Sequence, residues 1–357
     1  MTTELTRERF AELEALMDRH SSGGRWLVLT HDNPDPDSIA AAAALTTLLR
    51  KKFRRKVTIA YGGIIGRAEN RQMVRTLGLQ LSHIRRLNWK NYRHFALVDC
   101  QPQTGNSHFP EHLRADLVFD HHPIRRQTRD ALFADVRIDY GATATILAEY
   151  LETAEIEISR ANATALLYAI VTETQNLSRE YSTADRVMHD RLQPLADLRA
   201  LGKIRLPPLS LAYFHTLRRA VERMQTVSTL VVSHLGPVDQ PDIVPEVADL
   251  LLRLERKTWS LCTGTHQGRL YLSMRTTNPR GDAGRQMRRL LGKRGKGGGH
   301  GMIAGGWVST DGLENGKIEA LQSRFAVRLA KMLKKNPDRL QPIDWSTIVE
   351  EEAEETK

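Results

Sequence analysis

Short apolar runs and longer amphipathic ones take turns through the first half of the chain. Residues 26–30, 57–61, 95–98 and 117–119 are runs of aliphatic, β-branched and aromatic side chains with little polar alternation. Strands of that kind are buried on both faces. Between them, 38–50, 69–77 and 142–151 carry apolar positions at helical spacing. The alternation predicts an α/β fold, a mainly parallel sheet with helices on both faces. Residues 161–171 predict a further buried helix, and 183–195 and 210–224 more exposed ones. No strand signal falls between about 196 and 225, which predicts a helical linker. A second strand-rich region follows, with Leu230-Val231-Val232, a helix over 244–255, strands over 259–263 and 270–274, a basic helix, a glycine run and a helix over 318–333. The expected organisation is a first domain over 1–195, the linker over 196–225, a smaller α/β domain over 226–336 and an acidic tail over 337–357.

Composition narrows the classes. The chain has 357 residues, 41% of them hydrophobic, which suits two folded domains rather than disorder. Its apolar stretches, such as 40–45 and 250–252, are too short to span a membrane. Residues 1–9 mix charges and offer no apolar signal core. Two cysteines, Cys100 and Cys262, make neither a disulfide framework nor a C-x-x-C zinc pair. The expected location is the cytoplasm. The net charge of +10 favours anionic partners. Two basic clusters contribute to it: Arg50-Lys51-Lys52-Phe53-Arg54-Arg55-Lys56, where cations suit a helix end, and the stretch 280–296, which leads into the glycines.

The candidate chemistry sits where the first strands end. His31-Asp32-Asn33-Pro34-Asp35-Pro36-Asp37 follows one predicted strand, Asp99 ends another, and Asp120-His121-His122 ends the next. Loops at the carboxyl ends of such strands converge on one crevice. Carboxylates with imidazoles and no thiolates suit manganese or magnesium better than copper or structural zinc. An EF-hand is excluded, because no glycine and late glutamate stand at the required positions after Asp32. No Gly-Lys is followed by Ser or Thr, so there is no P-loop. Gly62-Gly63-Ile64-Ile65-Gly66 lacks dinucleotide-fingerprint spacing and is expected to be a strand-to-helix turn. Nine further histidines, His20 and His108 among them, stand in no ligand spacing and are expected at the surface or in the core. Cys100 is expected to pack, Asn106 to contact substrate, and Arg67 and Asn70 to open a helix near the cleft. Gly297-Gly298-Gly299, between Arg275 and His300, is expected to bring backbone amides close to a phosphate.

In this order the motifs resemble those of the DHH phosphoesterases, which are named for the residues seen here as Asp120-His121-His122. His31 to Asp37 resembles the first family motif and Leu97-Val98-Asp99 the second. Ser273-Met274-Arg275 and Gly297-Gly298-Gly299-His300 resemble the arginine and GGGH elements of the DHHA1 domain, so the likeness runs from about residue 20 to about 335. The branch most similar is the nanoRNase and pAp phosphatase type, related to RecJ-like exonucleases. The resemblance implies two manganese ions, with magnesium or cobalt as substitutes. It implies that His31, Asp35 and Asp99 hold one ion, that Asp37, Asp99 and His121 hold the other, and that Asp99 bridges them. His122 would face the phosphate as donor or acid, and Asp120 would orient an imidazole. Arg275, Gly297, Gly298, Gly299 and His300 would hold the far end of the substrate in the cleft between the domains. The chain departs from the family at Glu173, in Thr172-Glu173-Thr174, where the fourth motif normally has aspartate. The longer carboxylate is expected to remain a ligand.

The implied activity is hydrolysis of short single-stranded RNA or of a 3′,5′-bisphosphate nucleotide. The alternatives are a cyclic or linear dinucleotide phosphodiesterase, a polyphosphate hydrolase, or a nucleotide-binding sensor weakened at Glu173. Nucleotide phosphates are the expected partners, no membrane is, and a homodimer is admitted.

Overall fold

The structure is a computed structural model and describes residues 3–19, 23–178 and 180–345. His20 and most of the acidic tail, Glu350 to Glu355 included, lie outside the described residues. The chain divides into two units, 1–208 and 209–357.

The first unit runs α1 (Glu4–Arg19), β1 (Arg25–Leu29), α2 (Pro36–Lys51), β2 (Lys56–Tyr61), α3 (Ala68–Thr76), β3 (Leu81–His83), β4 (His94–Val98), β5 (Leu117–Asp120), β6 (Phe133–Val136), α4 (Thr143–Thr153), α5 (Arg160–Glu173), α6 (Thr183–Leu192) and α7 (Leu198–Arg205). Its six strands are all parallel, in the order β3-β2-β1-β4-β5-β6. The order reverses between β1 and β4, and the crevice outside that switch point is where open α/β sheets bind ligands. Every residue of β4 is buried, as the unbroken apolar run predicts.

Local chemistry starts α2 at the switch point. Asp35 is its N-cap, the Asp35 carboxylate accepts from the Ser38 amide, and Pro36 occupies the first turn, where its missing N–H costs nothing. The alanines 40–44 are buried. They present small faces against α5, itself rich in buried alanines at 163, 165 and 169. Close helix packing over the sheet follows from that smallness.

The second unit runs α8 (Leu211–Glu222), β7 (Gln225–Val227), β8 (Leu230–Pro237), α9 (Ile243–Leu251), β9 (Trp259–His266), β10 (Arg269–Thr276), α10 (Ala283–Leu291), β11 (Gly295–His300), β12 (Ile303–Ser309), α11 (Asn315–Met332) and β13 (Gln341–Pro342). It is a mixed sheet, β11-β12-β10-β9-β8-β7-β13, with its own buried core. The stretch expected to be a helical linker is α7 and α8, which fall in different units. The strands that apolar runs did not announce are short or glycine-rich: β3, β6, β7, β11, β12 and β13. Position in the sheet, not local pattern, makes them strands.

Candidate metal centre

Each strand that meets at the switch point delivers one cluster of polar groups. Asp99 closes β4 with a left-handed backbone, φ 56°. Such a conformation costs a non-glycine residue about 1–3 kcal/mol and is found where the surroundings hold it in place. Here the Asp99 amide donates to the Phe119 carbonyl at 2.9 Å, and the Thr143 hydroxyl donates to Asp99 Oδ1 at 3.2 Å. The side chain is almost fully buried.

Two imidazoles flank it. His31 Nε2 lies 3.4 Å from Asp99 Oδ2 and 3.5 Å from Asp35 Oδ2. His121 Nε2 lies 3.6 Å from Asp99 Oδ1 and 3.9 Å from Asp37 Oδ2. Their other nitrogens settle the tautomer. His31 Nδ1 is 2.9 Å from the Asp32 carbonyl, and His121 Nδ1 is 3.1 Å from the Tyr140 carbonyl. A carbonyl only accepts, so in both rings Nδ1 carries the proton and donates. In the neutral rings each Nε2 therefore turns a lone pair toward carboxylate oxygens. Lone pairs facing anions repel unless a proton or a cation stands between them. His31, Asp35 and Asp99 offer ligand atoms within 4.8 Å of one another, and so do Asp99, His121 and His122. Asp37 stands beside the second set, buried, with Oδ2 and Oδ1 accepting at 2.8 Å from the amides of Thr143 and Ala144 in the first turn of α4. Neither set includes Glu173.

The carboxylates crowd one another electrostatically. Burial, Asp99 and Asp35 push Asp37 well above the usual carboxylate range in spite of its two backbone donors. Burial with Asp35 and Asp37 pushes Glu173, at the end of α5, up to about 8. Glu173 thus shares in the crowding of negative charge. Burial would lower His31, but Asp35 and Asp99 lift it well above the ordinary imidazole value. Burial acts against ionised Asp35, yet His31 and the Ser38 amide hold it below the usual range. The cluster is thus short of positive charge. Its oxygen and imidazole donors fit hard or borderline divalent cations. Burial and nearby Asp120 and Asp99 push the Cys100 thiol well up, so it stays protonated and packs, as expected.

His122 faces the cluster differently. Its Nδ1 donates to Asp120 Oδ1 at 2.9 Å, and Asp120 Oδ1 also accepts from the amides of His121 and His122. Burial opposes the charged ring, but the Asp120 hydrogen bond and Asp99 push it up to about 10. Asp120 itself, although buried, is held low by His122 and Gln101. Gln101 is a residue that the sequence did not single out. It is buried, its Nε2 donates to Asp120 Oδ2 at 2.6 Å, and its Oε1 accepts from the Arg125 amide and the Thr128 hydroxyl, both at 2.7 Å. An amide right after Asp99-Cys100, at a buried strand end, was the available signal. The Tyr140 carbonyl left none. Its residue is held by Arg137, whose Nη1 donates to the Tyr140 hydroxyl at 2.9 Å while its fork grips Asp135.

The other candidates distribute unevenly. Asn106 is exposed, and its carbonyl accepts from the Asp32 amide at 2.7 Å. Asn70 is buried and its Nδ2 donates to the Pro34 carbonyl. Both brace the first motif. His108, expected in no site, donates to both oxygens of Asp32 at 2.6 and 2.7 Å. Gly62 lets that pair approach, since a Cβ there would run into Asp32 Oδ1.

In the second unit Arg275 is buried and engaged with its own domain. Nε donates to Asp249 at 2.5 Å, and Nη1 donates to Ser273 and to the carbonyls of Met274 and Ala304. Gly297, Gly298 and Gly299 lie in an extended edge strand, β11. Close packing accounts for Gly297 and Gly299, since a Cβ on Gly297 would collide with Leu291 and one on Gly299 with the Ile303 carbonyl, while one on Gly284 of α10 would collide with the Gly299 carbonyl. Alternate amides of an edge strand still point away from its ladder. His300 ends that strand, and its side chain lies outside the described set.

Residues 25–170 match the DHH family, N-terminal domain. The chain carries a DHH domain. It is similar to an uncharacterised protein of Methanocaldococcus jannaschii, 35% identical over 276 residues, which cover 77% of this chain and 56% of that protein. It is also similar to a probable manganese-dependent inorganic pyrophosphatase of Listeria welshimeri, 26% identical over 183 residues, covering 48% of this chain and 56% of that one. The chain thus spans about half the length of these curated relatives. Among solved structures, an exopolyphosphatase-related protein from Bacteroides fragilis matches with a TM-score of 0.66 at 12% identity, over 92% of this chain and 97% of that one. At that identity the likeness shows the fold. Among the described residues no helix is long and apolar enough to cross a membrane.

Proposed function

We propose that the chain is a manganese-dependent phosphohydrolase that cleaves phosphoester bonds in short oligoribonucleotides, or removes one phosphate from a 3′,5′-bisphosphate nucleotide. One observation carries the reading: two imidazoles, locked by backbone carbonyls, turn the same nitrogen toward the two different oxygens of one buried aspartate. His31, Asp35 and Asp99 would hold one divalent ion, and Asp37, Asp99 and His121 a second, with Glu173 in the field of both. Bound there, the ions supply a water that is nucleophilic near neutral pH. The chain's own groups do the rest. The amides of Thr143 and Ala144 fix Asp37, and the Thr143 hydroxyl fixes Asp99. Asp120 holds His122 by Nδ1, with Gln101 holding Asp120. His122 carries a proton at neutral pH, and it passes that proton to the leaving oxygen as the phosphorus–oxygen bond breaks. Neutralising the carboxylates around the ring would bring its value back toward neutrality, where proton transfer is most effective.

The likeness to a protein named as a pyrophosphatase favours a second reading, a phosphoanhydride substrate on the same centre. A substrate panel with manganese decides between them: a dinucleotide, a 3′,5′-bisphosphate nucleotide, a cyclic dinucleotide and pyrophosphate, each with the wild type and Glu173→Asp. Preferred turnover of the first two is expected. Turnover of none by the wild type overturns the enzymatic reading, and turnover of pyrophosphate alone overturns the nucleotide one. A sharp gain with Glu173→Asp would mark Glu173 as an impairment.

A further inference from the structure

The positive charge of the chain is concentrated in one place. Residues 283–335 hold twelve Lys and Arg against three acids, Asp311, Glu314 and Glu319, so this segment carries nearly the whole net charge of +10. On α11, Lys317, Arg324, Arg328 and Lys331 recur at intervals of seven, four and three residues and form one stripe. At helical rise the stripe is about 21 Å long. Lys293 and Arg294, in the turn after α10, face it across a groove. The groove consists of two cavities, of about 720 and 490 Å³, that share Arg294, Leu321 and Arg324. Its floor is apolar, with Leu291, Leu321 and Phe325 beneath and Val327 37% exposed. None of its six cations makes an ion pair with a described residue. Glu319, on the same helix, does not line it.

We infer that this groove binds a single strand of nucleic acid, with backbone phosphates along the cationic walls and sugar and base faces on the apolar floor. The floor discriminates between polyanions. Inorganic polyphosphate has no apolar face to lay on it, and a membrane surface needs protruding rather than recessed apolar side chains. No aromatic ring is offered for stacking, since Phe325 is buried. Binding therefore comes chiefly from phosphate contacts and is insensitive to base sequence. The groove uses none of the residues of the metal cluster, and the inference stands whether or not the hydrolytic reading holds, because binding alone judges it.

The test is fluorescence anisotropy of the full chain with a labelled RNA of about 12 nucleotides, in EDTA so that nothing is hydrolysed. The triple variant Arg324→Glu, Arg328→Glu, Lys331→Glu is expected to weaken binding at least about tenfold. It should also flatten the dependence of log affinity on log salt by about 2, at roughly 0.7 for each phosphate that is no longer neutralised. Because Arg328 also donates to the Arg289 carbonyl and so braces the end of α10, Arg324→Gln with Arg328→Gln serves as a second variant, checked by its melting curve. It should show the same trend at smaller size. Lys51→Glu, Arg54→Glu, Lys56→Glu makes the same charge change in the first unit and is expected to retain wild-type binding. Equal loss in that control, or an unchanged salt slope in the groove variants, overturns the site. Tighter binding of inorganic polyphosphate, or of phosphatidylcholine–phosphatidylglycerol vesicles, than of the RNA overturns the choice of ligand.

Discussion

The two units gather charge of opposite sign, and they manage it in opposite ways. In the first, Asp99 and Asp120 are buried at strand ends and Asp37 in the first turn of α2, and each oxygen whose partner is named above is met by an amide, hydroxyl or imidazole. In the second, the cations of α11 and of the turn after α10 stand in solvent without ion pairs to described residues. Burial itself raises Asp37 and Glu173 most, and their buried like charges add to it because little water lies between them. Exposed cations are screened within about 10 Å in ordinary salt, so they act by number. The first arrangement suits a small cation at a fixed point. The second suits a long polyanion held loosely.

Four measurements sharpen or break that contrast. Asp99→Ala removes the oxygens shared by both imidazoles and should have the largest effect, loss of manganese binding by calorimetry together with loss of turnover. Full manganese affinity in this variant would break the idea of a shared ligand. His122→Ala should lower the turnover number by about 10²–10⁴ while manganese still binds, as removal of a proton donor does. Gln101→Leu, which touches neither metal nor substrate in the proposed arrangement, should cost about 10–100-fold, and Gln101→Glu should shift the pH profile because it sets a second charge beside Asp120.

The smallest effect concerns pH. Glu173 and His122 both have raised values in the folded chain, about 8 and about 10. The folded state therefore binds more protons than the unfolded one between their unfolded and folded values. Their contribution is fully present below the unfolded values and is lost as pH rises through the folded ones. The melting temperature of metal-free protein should thus fall between about pH 6 and pH 9, by about 2–4 °C per kcal/mol for a unit of this size. Manganese should remove most of the fall. A flat metal-free profile would show that the carboxylates do not crowd each other as the geometry requires.

Much of the first unit was legible because its signals are local. Unbroken apolar runs mark β1, β2, β4 and β5, and Asp35-Pro36 marks the start of α2. The catalytic candidates were legible because each follows such a run. Edge strands β3 and β6 were not, since sheet neighbours rather than their own side chains make them strands. The packing role of the glycine run was not legible either, for a related reason. Nothing in three consecutive glycines announces that α10 lies flush on them.

By itself the sequence determined the α/β character, the strand ends at which acids and imidazoles gather, and the basic stretch that precedes the glycines. Those properties follow from apolar period, helix caps and residue type, all written within a few neighbouring positions. Only the tertiary structure decided which nitrogen of each imidazole faces the acids. For His121 that choice depends on a carbonyl 19 residues away, held in place by Arg137. It alone also laid the cations of α11 opposite Lys293 and Arg294 over an apolar floor. Both facts are matters of packing between distant segments, and no local pattern encodes them.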